Sequence, residues 1–193
     1  MFIDYEPLIT GTGYIAPAVM LEFGARSTGE PSESRVIRCD AAAHLQAVEF
    51  PTTVSKVMRA ERTFWEKATA IHVFCTQGEF RGGERFARHW HDMARLDAAG
   101  VAEAAIADKS LALAVADHKS VFFTEKNAQG DVIDYHTVVS GGLQLVPEGS
   151  ALEKLAADYQ HMVDDGLFLD DVETFDALLN RCQAIQQKAN TAQ

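Results

Sequence analysis

Long apolar runs are missing from this chain. Although 47% of its 193 residues are hydrophobic, no stretch approaches the ~18–20 consecutive apolar residues that a membrane-spanning helix needs. Cysteine is scarce as well. Cys39, Cys75 and Cys182 are odd in number, widely spaced and without a Cys-x-x-Cys. That argues against a disulfide framework and predicts reduced, mostly buried thiols. No polar low-complexity tract is present, and the segment from Met1 to Tyr14 carries acids where a secretory leader needs basic residues. A cytoplasmic protein without a membrane partner is the expectation. Positive charge is the last shortage: 17 Lys and Arg against 28 Asp and Glu give a net charge of −11, which argues against a general nucleic-acid coat. The shortage is uneven. Residues 26–95 hold 11 bases and 9 acids, whereas residues 96–193 hold 6 bases and 16 acids. A polyanion should therefore meet the first of these two parts.

What is present reads as strands followed by helices. The length suits one good core, or a small domain with part of another. Residues 16–24 alternate like a strand, with Val19, Leu21 and Phe23 on one face and Met20, Glu22 and Gly24 on the other. Ser34 to Cys39 is a second candidate, joined to the first through a Gly29-Glu30-Pro31-Ser32 turn, and Phe2 to Tyr5 is a third. From about Ala60 the period becomes helical, with Phe64, Ala68, Ile71 and Cys75 on one stripe. A Gly-rich loop from Gln77 to Gly83 precedes a helix expected over Glu84 to Ala98, with Phe86, Trp90 and Met93 on its apolar face and Gly100 as its stop. Three more helices are expected over Lys109–Phe123, Ala151–Asp165 and Val172–Ala189. Residues 124–149 form a long connection with turn signals at Asn127 to Gly130 and at Gly141-Gly142; such a loop is a lid, a contact surface or simply loose. No internal repeat is found.

Several residues carry candidate chemistry. Lys67 lies in an apolar helix, one turn after Phe64 and one turn before Ile71. A lysine there either snorkels to solvent or points into a polar cleft. Downstream, Arg85, Arg88, Asp92 and Arg95 form a charged stripe, which either helps to build a polyphosphate pocket or makes only an intrahelical Arg88–Asp92 bridge. Glu22 points away from the apolar face of its strand, the ordinary place for a solvated acid. The run His89-Trp90-His91-Asp92 is rich in metal ligands, but positions i and i+2 of a helix lie about 200° apart, so the two imidazoles cannot share a metal unless the segment is a strand.

Taken together, Glu61-Arg62-Thr63-Phe64-Trp65-Glu66-Lys67 and Arg88-His89-x-x-Asp92-x-x-Arg95-Leu96 resemble the paired lysine and aspartate motifs of the AbiEii/AbiGii-type nucleotidyltransferase toxins. These are the effector halves of abortive-infection toxin–antitoxin systems. Met20-Leu21-Glu22-Phe23-Gly24-Ala25-Arg26-Ser27 is similar to a family strand of the form x-L-E-x-G-A-R-S. The resemblance spans nearly the whole chain, though only the two motifs are specific. It implies an α+β fold: a partial nucleotidyltransferase-like mixed sheet in residues 1–55, then a mostly helical domain in residues 56–193 that carries the Lys and Asp motifs. It implies transfer of a nucleotide from NTP with Mg²⁺ to an acceptor such as tRNA, countered by a cognate antitoxin. By that analogy Lys67 would hold triphosphate oxygens, and Asp92 would orient the lysine or assist the acceptor. Arg88 would support the cluster, Arg85 and Arg26 would reach phosphates, and Glu22 would be a third carboxylate and candidate metal ligand.

One element of the family pattern is read as absent: a Gly-Ser or Gly-Gly followed by Asp-x-Asp or Asp-x-Glu on a strand. Gly149-Ser150 followed by Asp164-Asp165 is a decoy, because the intervening residues have a helical period and adjacent acids face opposite sides of a strand. Three expectations follow. The chain is a piece or mis-started form of an active transferase, an inactive remnant that still binds nucleotide or a partner, or a helical interaction module. An open sheet edge also predicts a homodimer formed by strand pairing.

Overall fold

The computed structural model describes residues 1–7, 13, 16–26, 28–78, 84–168 and 172–192. Its strands pair locally. β1 (Phe2–Asp4) runs antiparallel to β2 (Ala18–Met20), with Ile3 opposite Val19. Met1 and Leu21 extend this ladder through reciprocal N–H···O bonds of 2.9 and 2.7 Å. β3 (Ser32–Arg38) runs antiparallel to β4 (Thr52–Met58), with Val36 opposite Val54. The expected pairing of the strand around Val19 with the one around Val36 is therefore not made. Each takes another partner, and β2 is much shorter than the expected 16–24. β4 escaped notice because Thr52-Thr53-Val54-Ser55-Lys56-Val57-Met58 is rich in β-branched residues without a clean alternation. The described strands make two separate two-stranded sheets, and Val36, Ile37 and Val54 stay exposed on the second.

The core belongs to the helices. α1 (Ala60–Gln77) starts directly after β4, with Glu61 in its first turn ion-paired to Arg59 at 3.0 Å, and it stops where Gly78 turns left-handed at φ 67°. Phe64, Trp65, Ala68, Ile71 and Phe74 are all buried, so α1 is covered on more than one side. It packs against α2 (Arg88–Ala98), α3 (Val101–Ala107) and α4 (Lys109–Phe122). Trp65 pins it to α3 by donating its indole N–H to Ala105 O at 3.0 Å. The short α3 was not expected: it follows α2 with only Ala99 and Gly100 between them, and Gly100 at φ 75° makes the corner. α4 is capped by Asp108, whose carboxylate accepts from Leu111 N at 3.0 Å.

α2 begins at Arg88, four residues later than expected, and the reason lies in another helix. Asp158 of α6 (Gly149–Asp164) accepts from Arg85 N at 2.8 Å and from Ala87 N at 2.7 Å. This distant carboxylate takes the place of a local N-cap, and Arg85 sits at φ 65°, outside the helix. The Gly-rich loop before it falls largely outside the described residues. α7 (Phe175–Thr191) starts at its Thr174 cap rather than at Val172, and it buries Leu178, Cys182, Ile185 and Ala189. No helix among the described residues is long and apolar enough to cross a membrane.

Residues 124–149 prove to be neither a lid nor slack. They include a short helix, α5 (Tyr135–Thr137), a widened turn over Val138–Gly142, and an extended strap over residues 143–146. Ile133, Tyr135, Val138, Val139, Leu143 and Leu145 all enter the core. Among the described residues the strap has no strand partner, and side chains answer its backbone groups. Asn190 brackets Leu143 N and O at 3.0 and 2.9 Å, and Gln186 accepts from Leu145 N at 2.7 Å. His72 Nδ1 accepts from Gln144 N at 3.1 Å, while the Trp90 indole donates to Leu145 O at 2.8 Å. A buried backbone requires such partners, and here four side chains from three helices supply them.

Candidate functional site

Helical periodicity turns Phe64, Ala68 and Ile71 into the core and leaves Lys67 at the border of that face. Its side chain is 23% exposed and reaches across to α2, where Nζ lies 2.7 Å from Asp92 Oδ2. Asp92 lies beside the buried Met93 and Ala94, at the edge of the face by which α2 enters the core. The structure thus brings together two of the expected residues, an ammonium and a carboxylate from helices 25 positions apart in sequence. Asp92 is spent on Lys67 across the interface instead of on Arg88 one turn back. Arg88 stands exposed on the first turn of α2, and among the described residues no hydrogen bond or ion pair engages it.

His89 borders the same pair. Burial, then the positive charges of Lys67 and Arg88, push its pKa down to about 4, against the opposing pull of Asp92. Its ring packs edge-on to Phe86 at 4.9 Å, and its Nδ1 is buried without a hydrogen-bond partner among the described residues. His91 turns elsewhere and stacks on Phe168 at 4.0 Å. The helix therefore separates the two imidazoles, and a shared metal between them has no geometric basis.

The other expected residues lie apart from this pair. Glu22 and Arg26 are exposed and fall outside the strands, past the end of β2. Among the described residues, neither is joined to Lys67 or Asp92 by a hydrogen bond or ion pair. Arg85 has left the helical stripe because Asp158 holds its backbone. An Asp-x-Glu without the preceding Gly-Ser or Gly-Gly stands only partly on a strand. Asp4-Tyr5-Glu6 has that alternation, Asp4 closes β1, and Tyr5 N donates to Pro17 O at 3.0 Å, which keeps the chain extended. Alternation places Asp4 and Glu6 on one face, and both are exposed. They gather no third ligand: among the described residues no three His, Cys, Asp or Glu side chains converge on a cation position. These residues do not compose the Mg²⁺ site that the resemblance implies.

A second charged cluster went unnoticed in the sequence. On the other flank of α1, Glu66 Oε1 lies 3.0 Å from Arg62 Nη2, and Oε2 lies 2.7 Å from Lys119 Nζ of α4. The Arg62–Glu66 spacing of four was a legible signal for half of it; Lys119 was not. The lysine motif thus sends adjacent charges two ways, Glu66 to α4 and Lys67 to α2.

Comparison with known proteins bears on what this arrangement serves. The family model described as "Nucleotidyl transferase AbiEii toxin, Type IV TA system" matches residues 2–181. No curated protein and no solved structure matches the chain. The match takes in both charged helices and the strands before them, and on that evidence the chain belongs to the AbiEii family of nucleotidyl transferase toxins of type IV toxin–antitoxin systems.

Proposed function

We propose that the Lys67–Asp92 pair is the nucleotide-gripping half-site of this toxin. Lys67 holds the triphosphate oxygens of an NTP, Asp92 orients its ammonium, and Arg88 supplies a further cation from the first turn of α2. The observation that carries this reading is the 2.7 Å contact between Nζ and Oδ2 across two helices, at a position where solvent still reaches both groups. An ammonium already aligned by a carboxylate loses less freedom when a phosphate arrives, which favours binding. The acceptor in this reading is an RNA such as tRNA, and the cognate antitoxin is the protein partner. Transfer by this chain alone is incomplete in our account, because its described residues assemble no metal site beside the pair.

A second reading, a non-catalytic nucleotide-binding or protein-interaction module derived from the same fold, rests on that same lack. Calorimetric titration with ATP, GTP, CTP and UTP separates the two. Binding of at least one nucleotide, abolished by Lys67→Ala, supports the half-site. No binding of any of the four to a folded protein leaves the interaction module.

A further inference from the structure

The extended strap has a cavity beside it that the nucleotide pair does not use. About 530 Å³ in volume, it lies between the end of α1, residues 128–148 and α7, within the usual range of ligand sites. Neither Lys67 nor Asp92 is in its wall. That wall is mostly polar, whereas the grooves lined by Ile106 and Ala107 and by Leu113 and Val139 are mostly apolar. Four glutamines supply much of the polarity, and they are largely unspent. Gln186 accepts from Leu145 N through Oε1 at 2.7 Å, and makes no bond through Nε2 among the described residues. The side-chain amides of Gln129, Gln144 and Gln183 make no hydrogen bond at all among the described residues.

The electrostatics of this wall disfavour an anion. Glu148 is its only charged residue, and no Lys, Arg or His stands there among the described residues. Glu148 is exposed, makes no cap bond to α6 and enters no ion pair among the described residues. Thr76 and Gly78 bring the end of α1 to the same wall, where the negative end of the helix dipole repels a phosphate and attracts a cation. Thr76 does not offset this with a donor, because its Oγ1 is turned back on His72 O and Val73 O, both at 3.0 Å. The wider surroundings have the same sign, since residues 96–193 hold 6 bases and 16 acids.

We infer that this cavity binds an arginine side chain presented on a peptide segment of a partner protein. A guanidinium carries five N–H donors in a planar fork and stays charged at any working pH. Glu148 accepts a bidentate pair of these donors, and the unspent glutamine carbonyls accept others. The amide N–H groups left over, those of Gln186 among them, meet the peptide carbonyls on either side of the arginine. Free arginine fits less well, because its α-carboxylate would face Glu148 and the end of α1. A nucleotide or an RNA fits worst, for the same reason of sign. The site is independent of the Lys67–Asp92 reading and stands or falls without it.

The probe is the blocked tripeptide N-acetyl-Gly-Arg-Gly-amide, titrated into the isotope-labelled full chain and followed by NMR amide shifts, which read weak binding residue by residue. Saturable shifts at Gln144, Glu148 and Gln183 are expected, and they persist unchanged in Lys67→Ala. Glu148→Gln weakens binding about tenfold, the loss of one charge-assisted contact. Gln183→Leu weakens it severalfold while leaving the net charge alone, which a diffuse attraction to an acidic surface would not show. Both residues are exposed, so the variants keep the fold. Absence of saturable shifts at these residues overturns the proposal, as does binding that both variants leave unchanged. Equal binding of the same peptide with glutamate in place of arginine overturns the choice of a cation. L-arginine binding as tightly as the blocked peptide overturns the assignment to a peptide chain.

Discussion

Asp158→Ala tests whether α2 is positioned from a distance. In the wild type this carboxylate accepts from Arg85 N at 2.8 Å and from Ala87 N at 2.7 Å, at a helix start where the N-cap Ala87 makes no side-chain cap bond. Hydrogen bonds to a charged group contribute about 1.5–3 kcal/mol each. The site is only partly buried, however, and water replaces some of what is lost, so the expected cost is roughly 2 kcal/mol, at the upper end of N-cap losses. For a chain of this size that lowers Tm by about 4–8 °C. Asp158→Asn keeps one acceptor oxygen and loses about half as much. The assay is thermal and urea denaturation followed by circular dichroism, with amide exchange at residues 85–88 as a local readout. If Asp158→Ala lies within about 0.5 kcal/mol of wild type, or if Ala and Asn are indistinguishable, α2 is not held this way.

Removing Lys67 or Asp92 should hardly affect folding: half-exposed ion pairs are worth about 0–1 kcal/mol, so Lys67→Met and Asp92→Asn each shift the urea midpoint little, and a collapse of the fold would show the pair to be structural. His72 makes stability fall in mild acid. Burial pushes its pKa down to about 4 while the unfolded value stays near 6.5, so the unfolded state binds the extra proton between those values. Stability is full above about pH 6.5 and declines as pH falls towards 4, by about 2 kcal/mol at pH 5. His89 works in the same direction, and a His72→Gln urea series that keeps the whole wild-type slope between pH 5 and 7 would contradict the assignment. Thiol labelling should find one reactive cysteine in the native state. Cys39 is exposed, Cys182 is buried with its pKa raised to about 12, and burial also raises that of Cys75; two or more fast sites before unfolding would refute this.

Local periodicity made some of this fold readable in advance. Phe64, Ala68 and Ile71 recur at helical spacing and do form the buried face of α1, and Trp90 and Met93 do the same for α2. What stayed hidden depended on partners far away in sequence. The start of α2 is set by an aspartate more than 70 positions downstream. The backbone of the 143–146 strap is held by His72, Trp90, Gln186 and Asn190, which reach it from 41 to 72 positions away. α3 is seven residues of mostly alanine, too short and uniform to display a period. At the site, resemblance nominated Lys67 and Asp92 together, and their distance came only from the helix packing. Glu22 was assigned to a longer strand than the one that forms, so its expected orientation had no ladder to enforce it.

The central claim is that Lys67 and Asp92 act as one unit on a triphosphate. A double-mutant cycle on nucleotide affinity tests it most directly, with wild type, Lys67→Ala, Asp92→Asn and the double variant titrated with the nucleotide that wild type binds best. Loss of a charge-assisted contact of about 1.5–3 kcal/mol weakens binding by roughly tenfold to a hundredfold. If the aspartate works through the lysine, the double variant binds no worse than Lys67→Ala alone. Strictly additive losses, or variants that bind as wild type does, would contradict the account.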